Sequence, residues 1–124
     1  GMNNSVVADI QVRMDNEGRY CLNDLHKAAG GIGHHQPAKY FANQQARDLV
    51  SEIGEFTLFD QDAVTPVVTV AGRNGGTYVV KALVYAYAMW ISPAFHLKVI
   101  QAYDTLQTQG IAVAELITTQ LRRN

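Results

Sequence analysis

The glycine-rich stretch AGRNGG (residues 71–76) is the first place where residue types and spacing suggest chemistry, because such turns can hold a phosphate. A Walker-type phosphate loop needs a lysine and a hydroxyl residue after its last glycine, followed by a helix. Here Thr77 and Tyr78 open a run of strand-forming residues instead. A dinucleotide-binding fingerprint also needs a helix after the turn. We therefore expect no nucleotide site here, nor at the second glycine-rich stretch, GGIGHH.

Metal binding and covalent catalysis have little support in the sequence. A zinc site needs three or four ligands at helical or short-loop spacing, whereas the side chains of adjacent residues such as His34 and His35 usually diverge. Cys21 lies in an apolar run typical of a buried strand. No grouping of serine, histidine and aspartate suggests a nucleophile. We expect no metal, no cofactor and no enzymatic activity.

The composition indicates a folded domain. The 124 residues are 48% apolar and 17% charged, which is enough apolar material to form a core. One cysteine suits a reducing cytoplasm, and neither a signal peptide nor a run long enough to span a membrane is evident. Residues 1–2 resemble a remnant of an expression tag. We expect the domain to cover residues 3–109, and residues 110–124 to form a helical tail or linker that can contact a second copy or another protein.

The charges are unevenly distributed although they sum to only −1. Five acids and no base lie between Asp48 and Asp62, whereas residues 63–103 contain no acid and three bases. A nearly neutral total can therefore conceal a basic face. Ordinary variation of a solvated surface explains the same pattern, and charge alone leaves both interpretations open.

Patterning predicts the elements of the first half. Alternation over Val6–Val12 indicates a strand, and a second strand is expected at RYCL after the turn DNEG. A short helix follows over NDLHKAAGG, with Asn23 as its cap and Asp24 in its first turn. Pro37 is suited to begin a second helix over PAKYFANQQARDLVSEI, which Gly54 can end.

The second half carries a hairpin and two helices. VVTV and TYVV are β-branched runs around AGRNGG, with Asn74-Gly75 suited to positive φ at the tip. KALVYAYAMWI is apolar nearly all round, as in a core helix. Ser92 then caps a further helix that begins at Pro93.

Two short helices followed by a hairpin suggest contact with nucleic acid. The exposed side of the second helix offers Lys39, Asn43, Gln44 and Arg47, which are residue types that bind phosphates and base edges. Arg73 and Asn74 stand at the hairpin. Plain solvation explains the polar helix side equally well, and the hairpin can be a purely structural turn.

Three stretches resemble the KilA-N domain of phage and large DNA-virus proteins: YCLNDLHKAAGG, HHQPAKYF and, above all, TPVVTVAGRNGGTYVVKALVYAYAMWISPAFHLKVIQAY. The resemblance runs from about Ile10 to Tyr103. That family is regarded as a DNA-binding module related to the APSES domains of fungal transcription factors. The resemblance therefore implies an α+β fold like a winged helix-turn-helix, with N-terminal strands, two short helices, a β-hairpin wing and C-terminal core helices.

The resemblance also implies a function. Pro37 to Arg47 becomes the recognition helix for the major groove, and Gly72 to Gly76 the wing on the backbone or minor groove. Family members often carry Trp-Leu-Arg where this chain has Tyr-Phe-Ala at residues 40–42, so one phosphate contact is missing. The expected partner is duplex DNA, and the expected setting is a regulatory protein in a phage host's cytoplasm. The alternative is a protein-interaction module of an antirepressor-type phage protein. The predicted DNA contacts are Lys27, His35, Gln36, Lys39, Asn43, Gln44, Arg47, Arg73 and Asn74.

Overall fold

The computed structural model describes residues 5–104 together with residue 121. Within them the chain is a mixture of helices and antiparallel sheets, which confirms the predicted α+β class. The strands are β1 (Ser5–Val7), β2 (Ile10–Val12), β3 (Tyr20–Cys21), β4 (Val67–Val70) and β5 (Gly76–Val79). The helices are α1 (Leu22–Ala28), α2 (Pro37–Phe41), α3 (Gln44–Phe56), α4 (Lys81–Ile91) and α5 (Pro93–Tyr103).

The single N-terminal strand predicted over Val6–Val12 is wrong. β1 and β2 instead form an antiparallel hairpin, with Ala8 and Asp9 at the turn and φ values of 48° and 66°. A two-residue turn with positive φ at both positions matches the natural twist of the paired strands. Across the turn, Val7 pairs with Ile10 and Ser5 with Val12, so the alternation shifts by one residue. Val7 and Val12 are accordingly both buried, although one continuous strand would place them on opposite faces.

The second sheet has the order β3-β5-β4, and all its pairings are antiparallel. Val67 pairs with Val79 and Val70 with Gly76, so the predicted hairpin is confirmed. β5 is the central strand because β3 pairs with its other edge, through Tyr20 and Val79. The hairpin is thereby anchored to the start of α1, which follows β3 directly.

The core is built around α4, as its nearly continuous apolar composition predicts. Leu83, Val84, Tyr87 and Ala88 are fully buried, and α5 packs alongside. The Ser92 side chain accepts a hydrogen bond from the Phe95 N–H at 3.0 Å, which confirms the predicted cap before α5.

α3 continues past Gly54 and ends at Phe56, so the predicted stop is wrong. Glycine in a helix costs about 1 kcal/mol but does not forbid the conformation. Residues 57–66 connect α3 to β4 without helix or strand. The expected tail, residues 110–124, lies outside the described residues except for residue 121. None of the described helices is both long and apolar enough to cross a membrane.

Candidate nucleic-acid interface

α1 and the turn after it are held together by backbone bonds. Leu22 and Leu25 are fully buried and fix α1 against the core. The helix ends at Ala28, and two glycines with positive φ follow shortly after it, 109° at Gly30 and 68° at Gly31. The Gly31 N–H donates to the His26 carbonyl at 2.9 Å. Lys27 lies exposed in the last turn of this helix.

The chain between α1 and α2 is tied to the core through carbonyl oxygens. The Nε2 of His26 lies 2.6 Å from the Ile32 carbonyl oxygen and donates to it. The buried Tyr87 hydroxyl donates to the His35 carbonyl at 2.5 Å. The ring of His35 packs edge-on against Trp90, with 5.6 Å between ring centroids. The turn therefore has a defined position relative to α4.

This packing limits what His35 can do. Its ring is half-buried, and its Nδ1 is buried without a hydrogen-bond partner among the described residues. Desolvation, together with His34 and His26, lowers the pKa of His35 below its usual value. A neutral imidazole attracts a phosphate less than an imidazolium does. The neighbouring Gln36 side chain is exposed immediately before α2.

The predicted single helix from Pro37 through Arg47 is wrong, because the chain breaks between α2 and α3. Asn43 is extended, with ψ of 137°. Its side-chain amide donates to the carbonyls of Tyr40 and Lys39, at 3.2 and 3.4 Å. Tyr40 and Ala46 are both buried, yet on one continuous helix they would point about 120° apart. The break lets both side chains reach the core.

The polar residues at the start of α3 bind one another. The Gln44 amide donates to the Asp48 carboxylate at 2.7 Å, and its oxygen accepts from Arg47 at 2.9 Å. Arg47 also donates to the Phe41 and Ala42 carbonyls at the end of α2, at 3.1 and 2.8 Å. These are helix-end acceptors without an intrahelical partner. Arg47 thus joins α2 to α3.

α2 and the hairpin lie side by side. A surface groove is lined on one side by Ala38 and Phe41 of α2 and by Ala42 directly after it. Val67, Thr69 and Thr77 of the hairpin line the other side. Lys39 is exposed on α2. Within the described residues it has no ion-pair partner.

The tip of the hairpin is a tight loop over residues 71–75. Positive φ occurs at Gly72 and Gly76, so the expectation of positive φ at Asn74-Gly75 is wrong. Gly75 is required for a different reason, because an added Cβ would lie 2.0 Å from the Val70 carbonyl oxygen. The Arg73 and Asn74 side chains are exposed, and the described part of the chain offers Arg73 no ion-pair partner.

Arg13 holds this tip in place. Its guanidinium donates to the Asn74 carbonyl at 2.9 Å and to the Gly75 carbonyl at 3.4 Å. It also donates through Nε and Nη2 to Asp24, at 2.9 and 3.2 Å. The Asn23 side chain adds a bond from the Thr77 N–H at 2.8 Å. One arginine therefore connects the end of β2, the first turn of α1 and the hairpin loop.

Asn23 does not cap α1, so that prediction is wrong, whereas Asp24 lies in the first turn as predicted. Cys21 occupies the cap position of α1, and no side chain caps the helix. Asp24 is 5% exposed, and its carboxylate accepts from both the backbone and the side chain of Arg13. Burial alone would raise the pKa of Asp24, but the bonds and charge of Arg13 outweigh it and hold the pKa below its ordinary value.

Sequence reasoning missed Arg13 as a contributor to this site. Its partners lie 11 and 61 residues away, at separations that neither helical nor strand periodicity reports. The sequence offers one signal for this pair. A charged residue, Arg13, directly follows a strand, and an acidic residue, Asp24, lies in the first turn of a helix.

Three ion pairs form within the chain, and the acids and bases outside these pairs lie on different parts of the fold. Arg13–Asp24, Arg19–Asp15 and Lys81–Asp104 form ion pairs. Among the described residues, the remaining acids lie on the N-terminal turns, on α3 and on the connector after α3: Asp9, Glu17, Asp48, Glu52, Glu55, Asp60 and Asp62. The remaining bases lie on α1, α2, the start of α3, the hairpin tip and α5: Lys27, Lys39, Arg47, Arg73 and Lys98.

Comparison with known proteins assigns the chain to a family. The model of the KilA-N domain matches residues 4–109, which is most of the chain. The chain belongs to the KilA-N domain family. It is 38% identical over 103 residues to the protein kilA of Escherichia phage P1. That match covers 83% of this chain and 37% of the phage protein, so the chain corresponds to a minor part of its relative's length. No solved structure matches the chain.

Proposed function

We propose that this KilA-N domain is the DNA-binding domain of a phage or prophage regulatory protein. In this proposal α1 and α2 act as a helix-turn-helix and the β4–β5 hairpin acts as its wing. The supporting observation is that α1, α2 and the hairpin tip carry exposed Lys27, Lys39 and Arg73, whereas their only acid, Asp24, is buried against Arg13.

Lys27, Lys39 and Arg73 then contact the phosphate backbone. Gln36 precedes α2, where an amide side chain can reach a base edge in the major groove, and Asn74 contacts backbone or minor groove from the hairpin. Contacts by Asn43, Gln44 and Arg47 stay predictions, and each residue must first give up a bond within the protein. His35 serves this unit through its backbone carbonyl more than through its ring.

The mechanism we propose is binding without catalysis, and it concerns this domain alone. The partner is duplex DNA, which a phage regulator meets in the cytoplasm of its bacterial host. Activities of the longer relative are not carried over, because the match covers 37% of that protein.

Fluorescence anisotropy with a labelled duplex across a salt series tests this proposal. Three phosphate contacts predict a log–log slope of the association constant against salt of about −3, since each contributes about −0.9. Lys98→Ala on α5 is the matched control, because it removes an exposed base outside the α1–α2–hairpin surface. No binding to a pool of random duplexes at low salt would refute the proposal, and equal binding to single strands would refute its duplex preference.

The alternative, a protein-interaction module of an antirepressor-type protein, has its own supporting observation. The acidic residues from Asp48 to Asp62 are exposed along α3 and the connector, and no base lies among them. Stoichiometric recovery of a regulator protein, in the absence of DNA binding, would favour that function over the first.

A further inference from the structure

The end of α3 and the connector after it expose large apolar side chains that the proposed DNA interface does not use. Phe56 is 92% exposed, Leu58 69% and Phe59 94%. The apolar residues one to two turns earlier on α3, Leu49, Val50 and Ile53, pack against the core. An aromatic or leucine side chain this exposed is common singly, but three within four residues form a patch of the kind that marks an interaction site.

The backbone under this patch is ordered by local hydrogen bonds. The Thr57 hydroxyl and N–H both donate to the Ile53 carbonyl, at 2.8 and 3.1 Å. The Leu58 N–H donates to the Glu55 carbonyl at 3.2 Å, and the Asp60 N–H donates to the Thr57 carbonyl at 3.0 Å. The side chains are therefore presented from a defined turn, which lowers the entropy lost when a partner orders them.

Acidic side chains surround the patch. Glu52, Glu55, Asp60 and Asp62 are exposed, and no lysine or arginine occurs between Asp48 and Gly72. We call residues 52–62 the acidic–aromatic segment. Its carboxylates repel DNA phosphates and anionic lipid headgroups. They also disfavour a symmetric contact between two copies, since an isologous interface places each patch against itself.

We propose that the acidic–aromatic segment docks onto a protein whose surface carries an apolar strip bordered by lysine or arginine. Phe56, Leu58 and Phe59 fill the apolar strip, and the four carboxylates pair with the basic border. Charge complementarity selects this partner over DNA, lipid and a second copy. The inference deepens the protein-interaction alternative and does not depend on DNA binding by the domain.

The segment lies at a distance from the proposed DNA interface. Along α3, Arg47, which joins α2, and Phe56 at the end of the helix are separated by about 14 Å. DNA binding and docking are therefore expected to occur on one molecule at the same time.

A defined probe tests the proposed chemistry. The probe is a synthetic amphipathic helical peptide of leucine and lysine, and its control has alanine for leucine at unchanged charge. Titrated into the full chain and followed by NMR, the leucine peptide should shift the amide signals of residues 52–62. The alanine peptide should bind at least tenfold more weakly. Equal binding of the two peptides, or shifts confined to other elements, would overturn the proposal.

Variants of the chain separate docking from folding and from DNA binding. The double variant Phe56→Ser/Phe59→Ser should weaken peptide binding at least tenfold while keeping the wild-type melting temperature and duplex affinity. Glu55→Lys/Asp60→Lys should weaken it by a similar factor. Leu97→Ser, an equally simple change at a side chain 62% exposed on α5, should have no effect. Unchanged binding by the Phe56→Ser/Phe59→Ser chain contradicts the proposal. So does a wild-type dimer in sedimentation that this double variant makes monomeric.

Discussion

The hairpin tip and the α2–α3 joint both display the polar residues predicted for DNA contact, but they use them differently. At the tip, the partner of the loop is Arg13, which directly follows β2, lies far from the loop in sequence and binds loop carbonyls. The Arg73 side chain is thereby left exposed. At the joint, Asn43, Gln44 and Arg47 bind carbonyls and side chains within a few residues of themselves.

This difference separates residues that build an interface from residues available to contact a ligand. A polar side chain that already satisfies a helix-end carbonyl must lose that bond before it can bind DNA, which reduces the net gain. Exposure alone does not distinguish the two cases, because Arg47 and Arg73 are both exposed. The hydrogen bonds distinguish them.

The largest expected effect comes from removing the distant support of the hairpin. Arg13→Ala leaves the Asp24 carboxylate buried without its partner. The free energy of unfolding should therefore fall by about 2–3 kcal/mol. This loss is smaller than for a wholly buried ion pair because the Arg13 side chain is 33% exposed. Arg47→Ala, the matched change at the joint, should cost about 1 kcal/mol or less because its bonds are exposed. Urea unfolding of both variants measures the contrast. Equal losses would mean that the Arg13–Asp24 pair does not hold the hairpin as described.

A smaller effect, on the salt dependence of DNA affinity, again falls on the hairpin and not on the joint. Arg73→Ala should reduce the magnitude of the salt slope by about one, because one phosphate contact is lost, and should leave stability unchanged. Arg47→Ala should leave the slope at its wild-type value. Anisotropy titrations across salt measure both slopes. A loss of slope in the Arg47 variant would show that Arg47 releases the α2 carbonyls in order to bind DNA.

How far the sequence predicts the molecule depends on the range of each interaction. The hairpin, the core helix α4 and the Ser92 cap were predictable because their signals lie within a few residues. The break at Asn43 was not, since it arises from the need to bury both Tyr40 and Ala46 against elements elsewhere in the chain. The same holds for Asp24, whose position suits a helix-start acid but whose partner Arg13 lies 11 residues away. Periodicity shows which face of a helix or strand is buried, but not which side chains bond one element to another.

The smallest expected effect is a change in acid sensitivity at the support of the hairpin. The pKa of Asp24 is lower in the folded chain than in the unfolded one. Its contribution to stability is therefore fully present above the unfolded pKa of about 4, and it is lost as the pH falls through the folded pKa. Asp24→Asn removes this proton linkage. Below pH about 4, the free energy of unfolding of the variant should therefore fall less steeply with decreasing pH than that of the wild type. Glu52→Gln, which removes an exposed carboxylate from α3, controls for the change in net charge. Parallel acid limbs for Asp24→Asn and wild type would show that Arg13 does not stabilise the carboxylate form.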